Sequence, residues 1–299
     1  MSSKRANILN EYKKNPDLKK EDVESLLGWL KMQPHLPSID ELQVILFLNA
    51  CYYSNEATKR CIDIFYTIRT HCPEFFANRN PNSKQLKEGL NISLHCPLPK
   101  LTPEGYTIFY NCLINKNPDL FVFNTTLKLF DMVASLHLHE CGTSNGHIII
   151  FDLEGCTLTH IMKIGLLSMK KYLIYLQDAL PFRLKGFHFV NAVPFMDKLM
   201  AIMNPFMKKE LMDMLQIHTS PNTNLFNSIQ KECLPQEIGG SCGSIKNIFD
   251  DYRNNINENA KFFIEEETLV VNESRRSGRP KNAGDLFGVE GTFKKLDID

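Results

Sequence analysis

The stretch Gly146-His-Ile-Ile-Ile-Phe-Asp-Leu-Glu-Gly155 decides how this chain is read. Ile148 to Asp152 is continuously apolar up to its terminal carboxylate, the signature of a strand buried on both faces. A second apolar strand follows at Phe187 to Asn191, and between them Leu158 to Tyr175 carries helical periodicity. Upstream, the aromatic and β-branched run 105–114 reads as another strand, and Thr125 to Leu138 as a helix with Leu129, Met132, Val133 and Leu136 on one side. Strands alternating with helices predict an α/β fold, with a parallel or mixed sheet and crossover helices.

Outside this centre, residues 1–90 read as short helices. Val23, Leu26, Leu27 and Leu30 share one face, Asp40 caps a helix carrying Leu42, Ile45, Leu46 and Leu48, and a third runs from about Glu56 to His71. The run Asn78 to Asn82 marks a boundary. After residue 248 the chain turns polar. A helix from Ile248 to Glu266 is expected, then a flexible tail whose Arg275, Arg276, Arg279 and Lys281 are solvated. The predicted division is therefore 1–90, 91–248 and 249–299.

Lys+Arg and Asp+Glu both number 34, so charge balance gives no reason to expect a nucleic-acid partner. No apolar run approaches the roughly 18–20 residues of a membrane span, and the N-terminus lacks a signal-peptide core. Nine cysteines without a Cys-x-x-Cys read as reduced thiols. The expectation is a soluble, cytoplasmic monomer.

Chemistry-bearing residues are few. His137 and Cys141 share a helical face but supply too few ligands for a metal. His188 reads as a core histidine, while His160 and His218 have no partner set by spacing. Asp152 and Glu154 can cap the turn after their strand or act as an acid pair. Gly239-Gly-Ser-Cys-Gly243 lacks the lysine of a nucleotide loop, and no nucleophile elbow or dinucleotide fingerprint occurs. No enzyme and no cofactor are expected. The distinctive segment is 195–215, which holds six of the eleven methionines. Phe195, Leu199, Ile202 and Phe206 fall on one helical stripe, and Pro205 breaks the helix. Methionine suits a wall that repacks around a ligand, and equally an ordinary core helix.

The ordered motifs Phe151-Asp-Leu-Glu-Gly155, Pro181-Phe-Arg-Leu-Lys-Gly-Phe-His-Phe-Val-Asn191, Asn204-Pro-Phe-Met207, His218 and Leu234-Pro-Gln-Glu-Ile-Gly-Gly240 resemble the CRAL-TRIO (Sec14-like) lipid-binding family. Trp29 to Pro37 and Leu46-Phe-Leu48 resemble its small N-terminal helical region (CRAL-TRIO-N). Asp285 to Leu296 resembles the tail of insect members named for α-tocopherol transfer protein and retinaldehyde-binding protein. The resemblance implies a mixed sheet and helices enclosing an apolar cavity, with a mobile gate at about 195–215. Its expected wall is Phe130, Phe151, Leu173, Leu176, Leu180 and Phe187, plus Phe195, Leu199, Ile202, Met203 and Phe206 from the gate.

It further implies transfer of a small hydrophobic ligand such as a tocopherol, retinoid or carotenoid, with transient docking on anionic membranes; Arg183 and Lys185 match two of the branch's basic positions, and Lys208 and Lys209 at the end of the methionine segment extend the same cationic patch. Positions that are basic in the tocopherol-transfer branch read Asn49, Cys51, Glu210 and Met214 here. A phosphoinositide head group is thus a weaker expectation than a general anionic surface. The rival readings are a Sec14-like phospholipid exchanger, which needs cationic groups inside a larger cavity, and a lipid-sensing adaptor acting through residues 272–299.

Overall fold

The computed structural model describes residues 4–220 and 223–288. Local signals set its helices. The Asp40 carboxylate accepts the Gln43 N–H at 3.1 Å while the Gln43 side chain accepts the Asp40 N–H at 3.0 Å, a reciprocal cap that starts one helix. Ser54 and Ser83 cap two others. The N-terminal region comprises α1 (Ile8–Lys14), α2 (Lys20–Lys31), α3 (Glu41–Ala50), α4 (Asn55–His71), α5 (Pro73–Phe76) and α6 (Lys84–Gly89). The order then runs β1 (Ser93–Pro97), β2 (Tyr106–Leu113), α7 (Phe123–Cys141), β3 (Gly146–Asp152), α8 (Leu158–Met162), α9 (Leu166–Asp178), β4 (Leu184–Val190), α10 (Met196–Met203), α11 (Lys209–Met214) and β5 (Leu215–Ile217). Three further helices follow: α12 (Ile245–Glu258), α13 (Ala260–Glu267) and α14 (Ala283–Phe287).

Among the described residues the strands form a single sheet in the order β1-β2-β3-β4-β5, with β1 antiparallel to β2 and every other pair parallel. This is the mixed, mainly parallel sheet flanked by helices that the alternating pattern predicts. Register aligns Asn111 with Phe151, Ile149 with Phe187, and Phe151 with Phe189, so these side chains stand on one face. They form the floor of the site.

Two expectations are corrected. The helix expected over 248–266 is two helices, because Asn259 leaves helical geometry and its Nδ2 bonds the Asn255 carbonyl at 2.9 Å. The tail read as flexible and solvated is docked from Val271 to Phe287. Arg276, 7% exposed, pairs with Asp63 at 2.6 Å and with Glu273 at 2.6 Å, and Lys281 also reaches Asp63. Phe287 is buried beneath Lys171 of α9. Composition misled for Arg276 and Lys281, whose partner Asp63 stands on α4, far away in sequence, while Arg275 and Arg279 are exposed as expected. Residues 289–299, including most of the resemblance over 285–296, lie outside the described residues.

A polar hub ties four helices together. Fully buried Asp131 of α7 accepts from Arg69 at 3.0 Å, from Arg79, and from the Tyr175 hydroxyl at 2.6 Å. Glu266 of α13 takes the remaining Arg79 fork at 2.8 Å. Burial opposes ionisation of Asp131, but Arg79 and Arg69 outweigh it and hold the carboxyl below its ordinary range. Such a network locks α4, α7, α9 and α13 into one arrangement.

Candidate functional site: an apolar cavity beneath a methionine-rich helix

A cavity of about 150 Å³ lies between the sheet floor and α9. Ile149, Phe151, Phe187 and Phe189 supply the floor, Met169, Tyr172, Leu173 and Leu176 of α9 one wall, and Phe130 of α7 another. Leu199 and Met203 of α10 close it. Phe121, Phe123 and the α8 residues His160 and Ile161 line its far end. Phe151 packs against Phe187 and Phe189 with ring centroids 5.5 and 5.9 Å apart, so the floor is a continuous aromatic surface.

Of the residues expected on the wall, Phe130, Phe151, Leu173, Leu176, Phe187, Leu199 and Met203 stand there. Leu180, Phe195, Ile202 and Phe206 do not. Leu180 is buried but faces a second pocket, between α3 and the C-terminal helices. Phe195 precedes α10 outside helical geometry, and Phe206 sits in the 3-10 turn 204–206 that Pro205 opens. Both therefore leave the helical phase, and the inward edge of α10 runs through Leu199 and Met203, both buried, with Met207 buried beyond the break. Ile202 is only half-buried.

The four basic residues do not share one arrangement. Arg183 stacks over Tyr52 and Tyr53 at 4.5 and 5.1 Å and donates from Nε to the Asn49 carbonyl, while Lys185 donates to the Tyr52 hydroxyl at 3.0 Å. Lys208 pairs with Asp178, and Lys209 with Asp213 on its own helix. Exposed apolar side chains are instead concentrated at the α8 end. Leu158, Met162, Leu166 and Leu167 are exposed there, and Leu120 and Val122 are exposed beside them. Contact between these two segments is made by the Lys163 ammonium on the Pro118 carbonyl and by the Phe121 ring against His160.

The remaining candidates take structural positions. Asp152 accepts from the Tyr110 hydroxyl at 2.5 Å, from Asn191 at 2.8 Å and from the Glu154 N–H, while Glu154 pairs with Lys116. The two carboxylates therefore form no acid pair. His137 is half-buried with its ring against Phe109, and among the described residues no cluster of metal-ligating side chains occurs. His188 and His218, which have no partner by spacing, bond to each other at 3.1 Å. Ala192 N–H donates to the His218 carbonyl at 3.0 Å and His218 N–H to the Phe189 carbonyl at 2.8 Å, so both ends of the segment carrying α10 and α11 meet at one point. His160 was also missed; its partner Thr157, three residues upstream, is the spacing of a reciprocal helix cap.

Comparison with known proteins gives consistent results. Residues 92–240 match the CRAL/TRIO domain, and residues 15–86 match the Pinta-like UBA domain. The chain is 26% identical over 244 residues to the alpha-tocopherol transfer protein-like protein of Mus musculus, covering 79% of this chain and 69% of that one. It is 21% identical over 281 residues to clavesin-2 of Rattus norvegicus, covering 91% and 85%. A crystal structure of Sfh5 overlays with a TM-score of 0.44 at 12% identity, covering 77% of this chain and 89% of that one. No described helix is long and apolar enough to cross a membrane.

Proposed function

This chain belongs to the CRAL-TRIO family of lipid-binding and lipid-transfer proteins, and on that premise we propose that it carries one small isoprenoid-type molecule in the cavity under α10 and releases it at a membrane. The observation that carries this reading is the composition of the wall: mostly aliphatic and aromatic side chains, a few polar ones such as Ser93, Asn111, Thr126, Asp152 and His160, and no Lys or Arg among the residues lining it. A phospholipid brings a phosphate that needs a cation when buried. A tocopherol- or retinoid-like molecule needs only apolar contact and one or two polar partners. At about 25 cal/mol per Å², burying about 400 Å² of such a ligand supplies about 10 kcal/mol before ordering costs are subtracted.

The cavity volume implies movement. Pockets for drug-sized ligands span about 300–1,000 Å³, so about 150 Å³ must expand when a ligand enters. The two ends of the segment 192–218 meet beside His218, and it carries the methionines; we take it as the element that gives way, at the cost of the Gln177 and Asp178 contacts that hold it to α9. We further propose that the apolar rim of Leu120, Val122, Leu158, Met162, Leu166 and Leu167 rests on the bilayer during exchange, since exposed apolar clusters beside a lipid cavity fit that contact.

The test is to incubate purified protein with a total cell lipid extract, repurify it, and identify the retained lipid by mass spectrometry. One equivalent of an isoprenoid is expected. A stoichiometric phospholipid overturns the proposed ligand class, and an empty but folded protein overturns the carrier reading.

A further inference from the structure

We propose that His160 is the polar anchor of the cavity, donating a hydrogen bond from Nε2 to an oxygen at one end of the ligand, which makes the cargo an oxygenated isoprenoid and not a hydrocarbon. The inference rests on the carrier reading and deepens it. Among the described residues, the other oxygen- or nitrogen-bearing side chains on the wall are occupied within the protein. Asn111 uses Oδ1 on His95 at 2.8 Å and Nδ2 on the Ile150 carbonyl at 2.9 Å. Ser93 bonds His95 at 3.0 Å, Thr126 the Val122 carbonyl at 3.3 Å and Tyr172 the Leu127 carbonyl at 3.4 Å. Asp152 is held by Tyr110 and Asn191. His160 differs: it is 2% exposed, it lines the cavity, and its Nε2 has no partner.

The backbone fixes which proton that nitrogen carries. The Thr157 N–H donates to His160 Nδ1 at 3.1 Å, so Nδ1 holds a lone pair and the hydrogen of the neutral ring is on Nε2. Burial, with a smaller contribution from Lys163, lowers the imidazole pKa and favours that neutral form. A buried N–H donor without an acceptor is costly, and native interiors rarely leave one unmatched. The group that answers it is an acceptor without full charge, such as a hydroxyl, aldehyde or quinone oxygen. Its place on α8 is consistent, because Leu158 and Met162 of the same helix face outwards at the rim while His160 and Ile161 face inwards. The oxygenated end of the ligand then lies near the mouth.

The experiment compares phytol with phytane, which share a branched chain and differ in the terminal hydroxyl. Affinity is measured by displacement of a fluorescent apolar probe from the full chain and from the His160→Leu and His160→Gln variants. Phytol should bind the unaltered chain about 3–10-fold more tightly than phytane, the yield of one neutral hydrogen bond. His160→Leu should remove that preference, so that phytol and phytane bind within about twofold of each other, and measurable binding of both also reports an intact cavity. His160→Gln should retain part of it, since a glutamine at this helix position can both accept from Thr157 and donate to the ligand. A preference that survives His160→Leu, or is absent from the unaltered chain, overturns the anchor alone. If neither compound binds, the carrier reading falls and the anchor falls with it.

Discussion

Truncation of Leu199 should speed ligand release far more than it destabilises the protein. Leu199 is 4% exposed and its side chain reaches the cavity from α10. Core Leu→Ala changes cost about 2–5 kcal/mol, and the lower part of that range applies here because Leu199 already borders empty space. On the proposed gating, the lost contacts exist only while α10 lies on the wall, so a cost of about 2–3 kcal/mol falls on the closed state. At about 1.4 kcal/mol per tenfold, the open population rises by about 30–150-fold. The assay is stopped-flow transfer of a fluorescent hydrophobic ligand from protein to vesicles. Leu199→Ala should raise the release rate by up to that factor. Ile202→Ala, which changes a side chain off the wall, should alter it less than about fivefold. Leu136→Ala, deep in α7 and away from the cavity, should lower the melting temperature with little effect on release. If Leu199→Ala lowers the melting temperature as Leu136→Ala does and leaves the release rate unchanged, α10 is ordinary core and the gate is elsewhere.

Two further outcomes follow from buried charge. Burial lowers the pKa of His95, His137 and His188 to about 4 and of His147 to about 3, the last with help from His137. Each ring therefore binds a proton more readily in the unfolded chain. Its contribution to stability is intact above about pH 6.5 and is lost as pH falls towards 4, by roughly 1.4 kcal/mol per pH unit per histidine. The melting temperature should drop steadily from pH 6.5 to 4.5, and a flat profile would contradict the burial of these rings. In the C-terminal strap, Arg276→Ala leaves Glu273 without its guanidinium and Asp63 with Lys281 as its remaining strap partner. A loss of about 1–3 kcal/mol is expected, with faster proteolysis within 271–288. Unchanged stability and protection would show that the strap does not hold.

The sheet was legible because its central strands are apolar on both faces, so 146–152 and 184–190 announce themselves whatever packs on them. β5 gave no such signal. It is three residues long, partly exposed, and exists because β4 offers it an edge. The site was legible in part for a related reason. Phe151 and Phe187 had to be on one face once their strands were parallel and in register, and α9 had to bury Leu173 and Leu176. The gate was different, because a helical stripe predicts which residues align but not how the helix rolls on its neighbour. Here the broken ends at Phe195 and Pro205 shift the inward edge onto Leu199 and Met203. Tail and anchor were hidden because their evidence is relational: Arg276 is ordinary until Asp63 stands opposite, 213 residues away. His160 is an ordinary cap until its other nitrogen is seen to have no protein partner. Periodicity reports what a residue avoids, which is water. Specificity depends on what a buried polar atom lacks, and that becomes visible only when the other polar groups of the wall have been paired.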